Sequence, residues 1–204
     1  PCAARSPAMT DPARREAISR QARTWLGVNA LILDTETTGL DEHAEIVEIA
    51  VIDCTGAVLL DTLVRPAGPI PAEAVEIHGI TNEMVAGAPA WADVHRTFCE
   101  LTEGRPIVVY NAPYDRRVLC QTMRRYGLPV PPELEAADED AQVQCAMLAY
   151  AVYWGEWDVK RETWCWQKLS AAATQQGVEL DAPAHRARAD CMMTLGVIMA
   201  MAVE

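Results

Sequence analysis

The short apolar run "ALIL" at residues 30–33 is followed at once by Asp34 and Glu36. The run is too short for a buried helix and suits a strand that is covered on both faces. Because side chains alternate along a strand, the two carboxylates point to the same side if the strand continues through them. A fold that buries this strand must therefore accommodate two adjacent negative charges at its end.

Two interpretations of Asp34 and Glu36 are open from these residues alone. In the first, "TTG" at residues 37–39 ends the strand in a surface turn and leaves both acids solvated. In the second, a cation lies between them, because burying unpaired carboxylates is costly. No lysine or arginine occurs between residues 30 and 42, and carboxylate oxygens are ligands that suit Mg²⁺ or Mn²⁺.

The remaining pattern predicts an α/β domain. "EIVEIAVID" and "AVLLDTLVR" continue the first strand as an antiparallel meander, and "PIVVY" and "AQVQC" are two further short strands, although periodicity equally permits one helix through the last. The acidic "ELEAADED" is expected as a loop. Helices are predicted at about 72–78, 81–86, 91–102, 113–127, 146–154, 162–176 and 188–202. This order gives a mixed five-stranded sheet flanked by helices.

Residues 1–27 differ from the rest. The first eight lack a pattern, and Met9 is a candidate natural start. From Thr10 the chain offers a helix cap and an early proline. We interpret 1–27 as an N-terminal extension that is helical from about residue 11, and 28–204 as one domain. A solvated face of this helix is expected to carry Arg14, Arg15, Arg20 and Arg23.

The composition argues against a membrane protein and against a secreted, disulfide-bonded protein. Half of the 204 residues are hydrophobic, yet the longest apolar stretches are shorter than a membrane span, and no secretory signal is visible. The seven cysteines form no C-x-x-C pair, which favours reduced thiols over disulfides or a zinc site. We therefore expect a cytoplasmic protein without a membrane partner.

Further acids follow other predicted elements. Asp115 lies in the first turn of the helix after "VVY", and "AHRARAD" places His185 just before a helix and Asp190 in its first turn. Each of these alone is typical of an ordinary helix start. Together with Asp34 and Glu36 they make three clusters at the ends of buried elements, which favours a shared site.

The motifs "DTETTG", "HGIT", "NAPYD" and "HRARAD" occur in an order and spacing that resembles the DEDDh, or DnaQ-like, 3′–5′ exonucleases. That family includes the proofreading subunit of bacterial DNA polymerase III. The resemblance covers about residues 29–202. It implies a ribonuclease H-like fold and hydrolysis of phosphodiester bonds at single-stranded or frayed 3′ ends, with DNA favoured and RNA possible, and release of nucleoside monophosphates.

The resemblance also implies roles for individual residues. His185 matches the general base that takes a proton from the attacking water, and four carboxylates match the ligands of two divalent ions, Mg²⁺ or Mn²⁺: Asp34, Glu36, Asp115 and Asp190. Two such ions stabilise the attacking and leaving oxygens of a phosphodiester, and an imidazole accepts a proton near neutral pH. The expected substrate-binding residues are Thr37, Thr38, Gly39, Leu40, Glu73, His78 and Asn111. For His78 a helix-terminus role is the alternative, and for Asn111 a helix cap.

The net charge of −12 opposes binding to a polyanion, since nucleic-acid binders usually present positive charge. Two divalent ions would offset the four site carboxylates, and an exonuclease needs to hold only a few terminal nucleotides. Six basic residues have two possible roles: they either form a local positive rim around the site or lie on solvated surfaces. These residues are Arg116, Arg117, Arg124, Arg125, Lys160 and Arg161. Packing is favoured over base stacking for Trp154, Trp157, Trp164 and Trp166.

Three functional hypotheses remain. The first is the DNA exonuclease, and the second is an RNA-trimming or short-oligonucleotide exonuclease of the same family. The third is a non-catalytic nucleic-acid or polymerase-binding module, which ranks last because the histidine and all four carboxylates are present. A polymerase partner and either a monomer or a homodimer are compatible with the sequence.

Overall fold

The computed structural model describes residues 11–135, 142–178 and 185–203. The strands are β1 (Leu31–Thr37), β2 (Ile46–Ile52), β3 (Val58–Leu63), β4 (Ile107–Val109), β5 (Val143–Cys145), β6 (Trp157–Asp158) and β7 (Thr163–Trp164). The helices are α1 (Asp11–Gly27), α2 (Ala72–His78), α3 (Asn82–Val85), α4 (Trp91–Thr102), α5 (Ala112–Arg125), α6 (Pro132–Glu135), α7 (Ala146–Trp154), α8 (Leu169–Gln175) and α9 (Ala187–Ala202).

Five strands form the main sheet in the order β3-β2-β1-β4-β5. The pairs β1–β2 and β2–β3 are antiparallel, whereas β1–β4 and β4–β5 are parallel. The predicted mixed five-stranded sheet is therefore confirmed, with the "ALIL" strand at its centre. The parallel pairing brings the carboxyl ends of β1 and β4 to the same edge of the sheet.

The two faces of the sheet carry separate hydrophobic cores. Ile32 packs with residues of α1, α7, α8 and α9 on one face, and Leu31 and Leu33 pack with residues of α4 and α5 on the other. Since side chains alternate along β1, Asp34 and Glu36 fall on the face covered by α9. That helix packs directly on β1 and β2.

The helix α1 begins at Asp11 and packs on α7 and α9. Trp25 is only 2% exposed and belongs to the core shared with α9. The prediction of a solvated face is wrong for Arg14, which is buried and holds its guanidinium 4.4 Å from the centre of the Trp164 ring. A cation over an indole face is favourable, and this contact ties α1 to the β6–β7 hairpin. Residues 1–10 lie outside the described chain.

The predicted helix at 162–176 is wrong in its first half. Residues 157–164 form the β6–β7 hairpin, and only Leu169–Gln175 is helical. The rings of Trp157 and Trp164 meet edge to face with centroids 4.9 Å apart, so aromatic pairing across the strands overrides helix propensity. The acidic stretch begins with a short helix, α6, instead of a loop, and its continuation over 136–140 is outside the described residues.

The tryptophans divide into packed and exposed positions. Trp157 and Trp164 pack against each other, as expected, but the buried Nε1 of Trp157 has no hydrogen-bond partner among the described atoms. Trp166 is 57% exposed and Trp154 is 38% exposed. Packing is therefore confirmed for the hairpin pair, whereas Trp166 presents its ring to solvent.

The described residues also show the state of the cysteines and the character of the helices. Every cysteine within the described ranges is a free thiol. Among the helices of the same ranges, none has both the length and the apolar character needed to cross a membrane.

Candidate active site

Three carboxylates meet where β1 ends beneath α9. Asp34 and Glu36 come from β1, and Asp190 comes from the first turn of α9. One oxygen from each lies within 4.8 Å of the others. The alternative of two solvated acids in a surface turn does not hold for Asp34 or Glu36, because both side chains lie within this half-buried cluster.

The electrostatics of the cluster favour the binding of a cation. Burial, followed by the charges of Asp115 and Asp190, raises the pKa of Asp34 well above its usual range. Burial, followed by the charges of Asp190 and Glu48, raises the pKa of Glu36 to about 8. Like charges this close cannot all ionise cheaply. An all-oxygen donor set of this kind fits a hard divalent cation such as Mg²⁺ or Mn²⁺.

Asp115 reaches the same edge from the first turn of α5. Its buried Oδ1 accepts hydrogen bonds from the backbone N–H of Thr35, at 3.1 Å, and from the Thr35 hydroxyl, at 2.7 Å. Burial raises its pKa to about 7, although the two Thr35 bonds act in the opposite direction. Asp115 is not one of the three carboxylates within 4.8 Å, but its charge acts on Asp34. It therefore lies beside the cluster, fixed by the strand residue between the two β1 acids.

His185 lies next to Asp190 at the solvent-exposed side of the cluster. Its side chain is exposed, and its backbone has a φ of 68°, a conformation that non-glycine residues adopt infrequently. Its backbone N–H donates to Oδ1 of Asp190 at 3.3 Å. Burial raises the pKa of Asp190, although the hydrogen bond from the His185 backbone and the charge of the His185 ring act in the opposite direction. The histidine is thus next to the carboxylates and open to solvent.

The residues after β1 form a tightly bonded loop. The hydroxyls of Thr37 and Tyr114 both donate to the Gly39 carbonyl, at 3.0 and 2.7 Å. Thr38 accepts the N–H of Glu45 on its hydroxyl, at 2.9 Å. Both threonine side chains therefore shape the loop from within.

The tip of this loop is open. Leu40 is 80% exposed, and a side chain added at Gly39 would meet nothing within 4 Å. From α5, Arg117 donates to the carbonyls of Leu40 and Asp41, both at 3.0 Å, and Gln121 donates to that of Ala44 at 2.6 Å. The exposed leucine is consequently presented on a loop that α5 holds in place.

The remaining predicted binding residues have different surroundings. His78 is buried, and its Nδ1 accepts the N–H of Ile80 at 3.0 Å, so the proton lies on Nε2, which donates to the Thr37 carbonyl at 3.3 Å. Burial lowers the pKa of His78, which favours the neutral ring. Glu73 is exposed in the first turn of α2. Asn111 is exposed at the start of α5 and makes no side-chain capping bond, so the helix-cap alternative is not what the structure has.

The hypothesis of a basic rim is weakened by the partners of these arginines. Arg117 is engaged by the loop carbonyls, Arg124 pairs with Glu135 at 3.0 Å, and Arg125 lies 3.4 Å from the carboxylate of Glu45. Arg117 and Arg125 therefore bond to the loop between β1 and β2, whereas Arg124 forms an exposed ion pair with α6.

Glu48 is a residue of this site that was not predicted from the sequence. It is a buried acid in the middle of β2, it lies opposite Glu36 in the sheet register, and it pairs with Arg186. The available signal was a glutamate inside the apolar run "EIVEIAVID", since an acid in a fully buried strand needs a partner.

Comparisons with known proteins find similar sequences over most of this chain. The Exonuclease family model, RNase_T, matches residues 31–198. A protein of Escherichia phage 186 named Uncharacterized exonuclease CP81 is 48% identical over 185 residues, which is 91% of this chain and 94% of that protein. The DNA polymerase III subunit epsilon of Pasteurella multocida is 33% identical over 110 residues, which is 49% of this chain and 44% of that protein. This chain therefore matches less than half the length of that subunit.

Among solved structures, that of Exonuclease X in complex with 5′ overhanging duplex DNA has a TM-score of 0.60 and 30% identity. The match covers 84% of this chain and 90% of that chain. Together with the sheet order, this likeness confirms the predicted ribonuclease H-like exonuclease fold.

Proposed function

Because this chain belongs to the Exonuclease family and is a metal-dependent exonuclease, we propose that it shortens DNA from single-stranded or frayed 3′ ends. Each cycle cleaves the terminal phosphodiester bond and releases a nucleoside monophosphate. The observation that carries this proposal is the meeting of Asp34, Glu36 and Asp190 within 4.8 Å, with His185 exposed beside them.

The carboxylates supply the metal site in this proposal. Asp34, Glu36, Asp115 and Asp190 would hold two divalent ions, Mg²⁺ or Mn²⁺. When bound, such ions stabilise the negative charge on the attacking and leaving oxygens of a phosphodiester. The two hydrogen bonds from Thr35 keep Asp115 oriented toward β1, on the strand that carries Asp34 and Glu36.

His185 is assigned as the general base. Its exposed ring can meet a water molecule, while the bond from its backbone to Asp190 holds the residue beside the carboxylates. The water oxygen attacks the phosphorus of the last linkage, and a proton of this water passes to a ring nitrogen of His185. The bond from phosphorus to the 3′ oxygen of the penultimate nucleotide then breaks. The 3′ oxygen then takes a proton from solvent. Imidazole can serve in this role because its ordinary pKa lies close to neutral pH.

The strand-end loop is proposed to hold the last nucleotide. Leu40 offers an exposed apolar side chain against a base, and Gly39 leaves room for close approach of the sugar and phosphate. His78 fixes the Thr37 carbonyl within this loop. DNA is the favoured polymer, and support comes from the similarity to Exonuclease X, whose structure contains overhanging duplex DNA.

The test uses the purified chain with a 5′-labelled single-stranded DNA and an RNA of the same sequence, in Mg²⁺ or Mn²⁺. We expect a ladder that shortens progressively from the 3′ end, and the faster substrate identifies the preferred polymer. A second DNA with a phosphorothioate at its last linkage should be shortened more slowly if cleavage begins at the 3′ end.

Controls separate the proposed chemistry from contamination. Addition of EDTA and the substitution His185→Ala should each abolish the ladder. Glu100→Ala is the control variant, because Glu100 is exposed on α4, and α4 covers the face of the sheet opposite the carboxylates. Full activity of His185→Ala, or cleavage from the 5′ end, would contradict the proposal.

A further inference from the structure

Glu48 is a fifth carboxylate at the candidate site, and it does not belong to the cluster of three. It faces Glu36 directly across the β1–β2 pair, and directly opposed residues in an antiparallel pair share a face of the sheet. The side chain of Glu48 is 4% exposed. Its charge acts on Asp34, Glu36 and Asp190, since it contributes to the raised pKa of each.

Arg186 donates hydrogen bonds to both carboxylate oxygens of Glu48. Its Nε lies 3.0 Å from Oε1 and 3.1 Å from Oε2, and a terminal guanidinium nitrogen lies 2.5 Å from Oε1. A two-pronged ion pair of this kind fixes orientation as well as charge. Both carboxylate oxygens of Glu48 are thus engaged by Arg186, beside the acidic cluster.

Glu48 also holds the first residue of α9. Its Oε2 accepts the backbone N–H of Ala187 at 2.9 Å. The first N–H groups of a helix have no partner within the helix, and Arg186, the residue before α9, provides no side-chain cap. A strand residue therefore supplies the acceptor that the helix start lacks.

The position of the helix start decides the position of the catalytic residues. Asp190 lies one turn beyond Ala187 and His185 lies two residues before it, and these two are themselves joined by a backbone-to-carboxylate bond. A shift of Ala187 relative to β2 would therefore move Asp190 away from Asp34 and Glu36, and His185 with it.

We propose that the Glu48–Arg186 pair is a positioning device that docks the start of α9 on β2 and so places His185 and Asp190 at the metal site. This inference rests on the proposed function, because it takes those two residues to be catalytic. It assigns neither Glu48 nor Arg186 a direct contact with substrate or metal.

The experiment compares Arg186→Met, Arg186→Lys, Glu48→Gln and the double variant with the wild-type chain. Arg188→Met is the matched control, because Arg188 lies in the same helix turn and pairs with Asp61 at the surface, at 3.3 Å. For Arg186→Met we expect kcat to fall about 10- to 100-fold, as is usual when a partner that orients a metal ligand is lost, while KM changes little. Arg186→Lys should recover part of the loss, and the double variant should lose less than the product of the single effects.

Two readouts do not depend on activity. Hydrogen exchange at the Ala187 amide of the metal-free protein should become roughly fivefold faster in Arg186→Met, as expected for a weakened hydrogen bond. Mn²⁺ affinity should fall in both Arg186→Met and Glu48→Gln and stay at the wild-type value in Arg188→Met. If the wild-type chain shortens neither polymer, the proposed function fails, and these two measurements still decide whether the pair positions α9.

Three results would overturn the inference. If Arg186→Met and Arg188→Met behave alike, the pair has no special role. If Glu48→Gln loses Mn²⁺ while Arg186→Met keeps it, Glu48 is a metal ligand. If Arg186→Met raises KM and leaves kcat unchanged, Arg186 contacts the substrate.

Discussion

Replacing Glu36 by glutamine should stabilise the metal-free protein, although the same change removes a proposed metal ligand. Burial and the acids around it raise the pKa of Glu36 from 4.5 to about 8. At pH 7 this carboxyl is therefore mostly protonated in the folded chain and ionised in the unfolded chain. Glutamine resembles the protonated form and carries no such difference between the two states.

The sign and size of the effect follow from proton binding. Between pH 4.5 and 8 the folded state binds more protons at Glu36 than the unfolded state does, so the free energy of unfolding falls as the pH rises. For a pKa displaced from 4.5 to about 8, linkage gives a loss of about 3 kcal/mol between pH 4.5 and pH 7. Glu36→Gln should escape this loss, so its advantage over the wild type grows by that amount across the same interval.

The measurement is urea denaturation of both chains in EDTA at pH 4.5, 6 and 7. Glu76→Gln serves as the control for the chemical change, because Glu76 is exposed on α2, and it should show no growing advantage. Repeating the series with Mn²⁺ should reverse the order at pH 7, since a cation that binds only the folded state stabilises it in proportion to its affinity.

A stability difference between Glu36→Gln and the wild type that stays constant from pH 4.5 to 7 would refute this reasoning. It would mean that Glu36 ionises freely in the folded chain, so the cluster would not be short of positive charge. Equal stabilisation of both chains by Mn²⁺ would remove Glu36 from the proposed ligands.

Three further changes test other parts of the structure. Thr35→Val removes the 2.7 Å hydroxyl bond to Asp115 and should lower kcat about tenfold, as single-turnover assays would measure; an unchanged rate would show that the backbone bond suffices. Arg117→Ala frees the carbonyls of Leu40 and Asp41, and should raise KM for oligonucleotides several-fold with kcat retained in steady-state kinetics. Trp25→Ala empties a core position that is 2% exposed and should cost about 3 to 5 kcal/mol of unfolding free energy in urea titrations; a loss below about 1 kcal/mol would show that α1 contributes little.

The sheet and the shared side of Asp34 and Glu36 could be predicted because their signals are local. Short apolar runs predict buried strands from the sequence alone, and the alternation within β1 places Asp34 and Glu36 on one side. The meeting of these acids with Asp190 depends on chain topology, which no local pattern contains. The ordered motifs of a known family supplied that part, and the 4.8 Å cluster agrees with it.

The missed features depend on contacts between distant residues. Glu48 and Arg186 are 138 positions apart, so neither one indicates its partner. The β6–β7 hairpin was missed for a related reason. Its turn includes Glu162 with a φ of 52°, and glutamate is not a residue type that predicts a turn. The hairpin also contacts Arg14, which is far away in the sequence.

The net charge of −12 is not offset by free arginines on α5 or at the start of α9. Arg117 is used by loop carbonyls, Arg124 and Arg125 pair with glutamates, and Arg186 neutralises Glu48. Attraction along a phosphate backbone, which supplies much of the affinity of most nucleic-acid binders, is therefore weak in this part of the chain. We infer that affinity arises from the bound cations and from contacts with the last nucleotides at the strand-end loop. Such an enzyme should bind where a strand ends and should bind weakly along its length, and this is compatible with an acidic surface.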